Sequence, residues 1–146
     1  MDFSYRLIGS GWAEARIADQ TTSAAMTASY LTDALGDLLS ALAVLKRGES
    51  DSERFSWDGE PAEFRWILRR DGDEVDVSIL WFQDIYKPQH DDVGRVLFAT
   101  RQPLAELLRA VSAGAARLLE DIGEDGYRER WVEHAFPTVA LAELRS

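Results

Sequence analysis

The chain contains no cysteine, which removes thiol nucleophiles, thiolate-bound zinc and disulfide staples from consideration and agrees with a reducing compartment. Its only histidines are His90 and His134. None of the short signatures of phosphate-binding loops, G-x-S-x-G hydrolases, H-E-x-x-H zinc proteases or G-x-G-x-x-G dinucleotide folds is present. No apolar run approaches the ~18 residues of a membrane helix, and the opening MDFSYR lacks the basic and apolar regions of a secretory leader. The chain therefore reads as cytoplasmic. Basic residues are scarce, 16 against 26 acidic, for a net charge of −10. Lys46 and Lys87 are the only lysines, and there is no basic run. Affinity for a nucleic acid backbone comes largely from counterions released around Lys and Arg. The sequence thus argues against nucleic acid as a partner, and equally against a membrane.

At 146 residues, 46% hydrophobic and 29% charged, the chain has the size and composition of one globular domain with a sizeable core. Its geometry is plainest between Ala62 and Phe82. Two β-rich runs flank Asp71-Gly72, a dipeptide that supplies the positive φ values of a tight hairpin turn. With those two residues as the loop, Leu68 faces Val75, Trp66 faces Val77 and Phe64 faces Ile79, all apolar. The other face pairs Arg69 with Glu74, Ile67 with Asp76 and Arg65 with Ser78. Parity carries this assignment, because a one-residue slip would send every side chain to the opposite face.

A second hairpin is predicted over residues 3–17. A Gly9-Ser10-Gly11 loop sets Phe3 opposite Ile17, Tyr5 opposite Ala15 and Leu7 opposite Ala13, with Arg6 opposite Glu14 on the wet face. No helix follows the glycines, so they make a turn rather than an anion cradle. From Thr22 to Arg47 the spacing of Leu31, Leu35, Leu38, Leu42 and Leu45 predicts a long amphipathic helix ending at Gly48. Asp33 and Asp37 are expected on its solvated face, and Gly36 is expected to admit a close neighbour. A short strand over 54–58, the hairpin, and a strand over 95–99 follow. The last strand has apolar residues on both parities, which leaves its inward face open. A second long helix is expected from Pro103 to just before Gly123, with the small-residue run 113–116 as the place where it could approach the first. A helical tail carries Tyr127, Trp131, Phe136, Leu141 and Leu144.

These elements predict an α+β domain in ββ-α-ββββ-α order, with one antiparallel sheet of about six strands, two long helices on one face and a short helical tail. The aromatic set Phe55, Trp57, Phe64, Trp66 and Trp81 is then core. In such a meander the turn at 58–61 and the loop 83–94 share one end of the sheet. Asp58, Glu60, Asp84, Asp91 and Asp92, with His90 beside them, form the candidate site.

With no catalytic motif, no expected cofactor and no metal-ligand spacing, the function expected is non-enzymatic: an interaction or inhibitor-like protein that meets a basic protein partner through this acidic end. The competing expectation is a small-molecule binder or enzyme with an aromatic pocket between sheet and helices, ringed by Tyr30, Trp66 and Asp37. Ile67, Leu80 and Phe82 form an outward apolar patch that needs a cover. The tail, through Trp131 and Phe136, is favoured over a second copy of the chain, and a monomer over a homodimer.

Overall fold

The computed structural model describes residues 1–146. The α+β antiparallel class holds, but the strands divide into two sheets. β1 (Asp2–Ile8), β2 (Trp12–Ala18) and β3 (Ser23–Ser29) form one, and β4 (Ser52–Asp58), β5 (Glu63–Asp71), β6 (Glu74–Phe82) and β7 (Arg95–Pro103) form the other. Helices α1 (Ala34–Arg47), α2 (Leu104–Trp131) and α3 (Thr138–Arg145) complete the chain.

The additional strand is β3, which occupies the first third of the expected first helix. Its sequence SAAMTAS is rich in alanine, and local propensity does not mark it as a strand. Pairing decides it: Ala24, Met26 and Ala28 face Ile17, Ala15 and Ala13 of β2, and all six are buried. The helix begins only at Ala34, so Leu31 is left 47% exposed outside it.

The first hairpin has the expected register, Phe3 to Ile17, Tyr5 to Ala15 and Leu7 to Ala13. The central hairpin has the expected faces with different partners. Its turn is centred one residue later, on Gly72-Asp73, so Leu68 meets Val77, Trp66 meets Ile79 and Phe64 meets Trp81. Moving the turn centre by one residue shifts each partner by two, which preserves parity. Gly72 supplies the positive φ, at 61°. On β7 a bulge between Ile79 and Leu80 pairs them with Phe98 and Val96 and skips Leu97. Phe98 is buried and Val96 is exposed although both share a parity, which is why alternation gave no inward face.

Helix α1 is buried almost all round. Its start is fixed by the Trp57 Nε1–H, which donates to the Ala34 carbonyl at 2.9 Å. Its end is closed by Gly48 in the left-handed region and by the Arg70 guanidinium on the Leu45 carbonyl. Helix α2 runs beside β1 and breaks at Gly123, where the expected helix was to stop; a further helical stretch carries Tyr127 and Trp131 into the core. Gly114 is the point of closest approach, since a Cβ there would lie 2.5 Å from the Phe3 carbonyl oxygen. The small-residue run of α2 therefore meets β1 and not the Gly36 region of α1. At Gly36 the missing Cβ makes room for the carboxylate of Asp33 from the same chain turn.

Candidate functional site: the acidic end of the four-stranded sheet

Strand β4 ends at Asp58, and the chain turns through Gly59 to Ala62 into β5. The Gly59 N–H donates to the Ala62 carbonyl at 2.6 Å and closes that turn. The loop that leaves β6 is bound to it directly, since the Ile85 N–H donates to the Pro61 carbonyl at 2.7 Å. These two backbone bonds make one unit of the turn and the first half of the loop. Asp58 is buried; its Oδ1 accepts the Glu60 N–H at 2.8 Å and its Oδ2 accepts the Tyr86 O–H at 3.2 Å. Asp84 accepts the Tyr86 N–H at 2.9 Å, an Asx turn that fixes the tyrosine backbone.

Tyr86 is thus held by two carboxylates while the residue remains 69% exposed. The charge of Asp58 raises its phenol above the ordinary tyrosine value, followed by the hydrogen bond to Asp58 and the charges of Glu60 and Asp84. Asp58 and Asp84 thus meet on one residue, Asp58 at its hydroxyl and Asp84 at its backbone N–H, with Glu60 in the adjoining turn. A notch of about 220 Å3 adjoins them, lined by Pro61, Gln83, Asp84, Lys87 and Gln89.

The other three candidates lie farther along the loop. Asp91 does not join the end of the sheet. It folds over the outer face of β4 and β5, where Arg54 donates to both its oxygens, at 2.6 and 3.1 Å, and Arg65 donates at 2.8 Å. These arginines hold its carboxyl below the usual value. His90 and Asp92 are exposed and make no side-chain hydrogen bond or ion pair, so nothing ties them to the Asp58 turn.

The reason for the fold-back is the outward apolar patch. Leu80 and Phe82 are buried, and within the chain their cover is the loop itself and not the tail, while Ile67 stays half-buried. Gly94 sits so close that a Cβ would lie 2.6 Å from the Phe82 ring, and the Arg65 guanidinium lies 4.1 Å from the centre of that ring. Arg65 also makes a two-pronged pair with the buried Glu63, at 2.8 and 3.1 Å, and donates to the Gln89 carbonyl at 2.9 Å. The tail packs elsewhere: Trp131 meets Tyr5 edge-on at 6.4 Å, and Phe136 meets Tyr127 at 5.2 Å.

A second concentration of polar groups surrounds the start of α1. Asp33 and Asp37 are half-buried rather than solvated. Burial raises both carboxyls; Asp33 pushes Asp37 further up, and His134 opposes the shift in each. The hydroxyls of Tyr5 and Tyr127 and the indole N–H of Trp131 are buried nearby without a protein partner, as is one oxygen of Asp33. Burial raises both phenols; at Tyr5 the neighbouring Tyr127 and then Asp33 add to it, and at Tyr127 the Asp33 charge does.

No three His, Asp or Glu side chains converge as a metal-ligand set. The groove ringed by Tyr30, Trp66 and Asp37 is not formed, because Trp66 is fully buried against Phe55 at 5.6 Å and Trp57 at 5.0 Å. Sequence reasoning missed Tyr86 and Arg65. The aromatic flanked by Asp84 and Lys87 in a loop was a usable signal for Tyr86. Arg65 offered none until the loop was placed. Compared with protein-family models, curated proteins and solved structures, the chain matches none.

Proposed function

We propose that this chain is a non-enzymatic interaction protein that engages a basic protein partner through the acidic, tyrosine-bearing end of its four-stranded sheet. The observation that carries the reading is the pair of hydrogen bonds by which Asp58 and Asp84 hold an exposed, backbone-fixed Tyr86, with Glu60 in the adjoining turn. An exposed aromatic on a rigid mount loses little conformational entropy on binding, and tyrosine is enriched among residues that dominate interface energies. The surrounding carboxylates select cationic surfaces and raise the association rate, aided by the net charge of −10. The notch beside Asp84 is polar but carries Lys87 with that carboxylate, so the selection of cations rests on the carboxylates around Tyr86 and not on the notch.

Asp92 and His90 extend the surface along the loop, whereas Asp91 contributes by holding the loop through Arg54 and Arg65. The protein acts as a single copy in a cytoplasmic setting, with no cofactor. No helix is long and apolar enough to cross a membrane. Tyr86→Ala is expected to weaken partner binding by roughly 30-fold, the scale of a ~2 kcal/mol interface anchor. Glu60→Lys with Asp84→Lys is expected to slow association and to weaken its dependence on salt. Unchanged kinetics in both variants would overturn the reading.

A further inference from the structure

Helix α2 packs against β1, the outermost strand of its sheet, with Gly114 at the contact, and the corner between them holds a groove of about 440 Å3. The strand side chains that line it come from one face of the sheet. Along β1 and β2 the buried row is Phe3, Tyr5, Ala15 and Ile17, so the alternate residues point outward. Asp2 stands beside Ala18, and Ser4 beside Arg16, in two neighbouring outward positions of that face. From α2, Ala113 and Arg117 are exposed one turn apart and line the same groove. Ser4, Ala18 and Ala113 are small, which leaves it open.

Three arginines and one carboxylate line this groove, in a chain whose 26 acidic residues outnumber its 16 basic ones. Arg109 is already engaged, donating to Glu106 at 2.6 Å and to the Met1 carbonyl at 2.9 Å. Arg16 and Arg117 make no ion pair and no side-chain hydrogen bond. The carboxylates nearest them in the chain do not neutralise them. Glu14, on the same outward face as Arg16, is paired with Arg6. Asp121 follows Arg117 by one helical turn without pairing to it and lines the neighbouring groove instead of this one, and Glu120 lines neither. Asp2 is the single lining carboxylate, so two unpaired guanidinium groups face one acid.

We propose that this groove binds a small phosphorylated polyol, a sugar phosphate in chemical class, with its phosphate on Arg16 and Arg117 and its hydroxyls on Asp2 and Ser4. Arginine stays charged at any working pH, and its planar fork of N–H donors matches phosphate oxygens. Two such groups offset a phosphate dianion. Asp2 accepts O–H donors but repels a second anionic centre, which favours a hydroxylated body over a diphosphate or a dicarboxylate. The volume lies in the range of small-molecule sites and exceeds what a bare oxyanion fills. The outward side chains carry no aromatic ring on which a nucleobase would stack.

Titration calorimetry on the full chain tests this with glucose 6-phosphate, glucose and inorganic phosphate as probes. Glucose 6-phosphate is expected to bind one to one, inorganic phosphate about tenfold more weakly, and glucose not at all. Arg16→Gln and Arg117→Gln should each weaken the sugar phosphate about tenfold, whereas Arg128→Gln, which removes the same charge from an exposed position outside the groove, should leave it unchanged. Ala113→Glu puts a carboxylate into the groove from an exposed position of α2, with a residue that favours helix, and should abolish binding with the circular dichroism spectrum preserved. No binding of glucose 6-phosphate, affinity no higher than that of inorganic phosphate, an equal loss from Arg128→Gln, or binding undiminished by Ala113→Glu overturns the proposal.

Discussion

Replacing Arg65 by methionine isolates what holds the loop 83–94 against the sheet. Methionine keeps an unbranched apolar stem over Phe82 and deletes only the guanidinium. Four interactions are lost, one of them the hydrogen bond to the Gln89 carbonyl at 2.9 Å, which contributes about 1 kcal/mol. Glu63, whose side chain is 7% exposed, loses its two-pronged partner and keeps only the Ser56 hydroxyl at 2.5 Å. Removing one member of a buried pair costs about 3–5 kcal/mol, because the other charge stays buried without compensation. Asp91 keeps Arg54, so its loss is that of a half-exposed pair, at most about 1 kcal/mol. The guanidinium–Phe82 contact at 4.1 Å contributes about 0.5–1 kcal/mol more. A total near 6 kcal/mol is a large share of the roughly 5–15 kcal/mol available to a domain and corresponds to a melting temperature lower by about 15 °C.

Urea unfolding followed by tryptophan fluorescence measures the loss, and amide exchange across residues 83–94 locates it. The companion variant Arg65→Met/Glu63→Gln removes the stranded charge and should recover more than half of the stability. A loss below about 1 kcal/mol for the single variant, or a double variant no more stable than the single one, would refute the assignment of Arg65 as the clasp.

Gly114→Ala should lower stability by about 1–2 kcal/mol despite the better helix propensity of alanine, because its Cβ would press on the Phe3 carbonyl; a melting temperature equal to or above that of the parent contradicts this. The half-buried Asp33 has a folded carboxyl raised above its ordinary value, so the folded state holds the proton more tightly. Its favourable contribution is full below about pH 4 and is lost as pH rises through the raised value, a penalty that persists at neutral pH. Asp37 adds to this fall, while His134 opposes it and the Tyr5 and Tyr127 phenols stay neutral throughout. Asp33 makes no side-chain cap bond, so Asp33→Asn should flatten the decline between pH 4 and 7 and stabilise by about 0.5 kcal/mol at pH 7 after solvent screening. A clear destabilisation at pH 7, with the decline unchanged, contradicts it.

Hairpin geometry was readable in the chain because alternation is strict where one face is buried. Phe3, Tyr5 and Leu7 against Ile17, Ala15 and Ala13 fixed both face and partner. In the central hairpin, parity fixed the face but not the partner, since turns centred on Asp71-Gly72 or Gly72-Asp73 bury the same residues. β3 was unreadable for a different reason: alanine and serine carry no period, and only pairing with β2 selects the extended state. The acidic end was legible in part. Topology placed Asp58, Glu60 and Asp84 together, but the path of the loop depends on Arg54 and Arg65, residues from two strands whose convergence on Asp91 no local pattern announces.

The central claim concerns the surface around Tyr86, and a photo-crosslinking residue at that position in living host cells tests it most directly, with position 139 as the control because Val139 is 83% exposed. A crosslink from position 86 to a basic protein is expected, lost on Glu60→Lys/Asp84→Lys substitution and absent from position 139. Recovery of the same species from both positions, or a crosslink indifferent to the charge reversals, would contradict it.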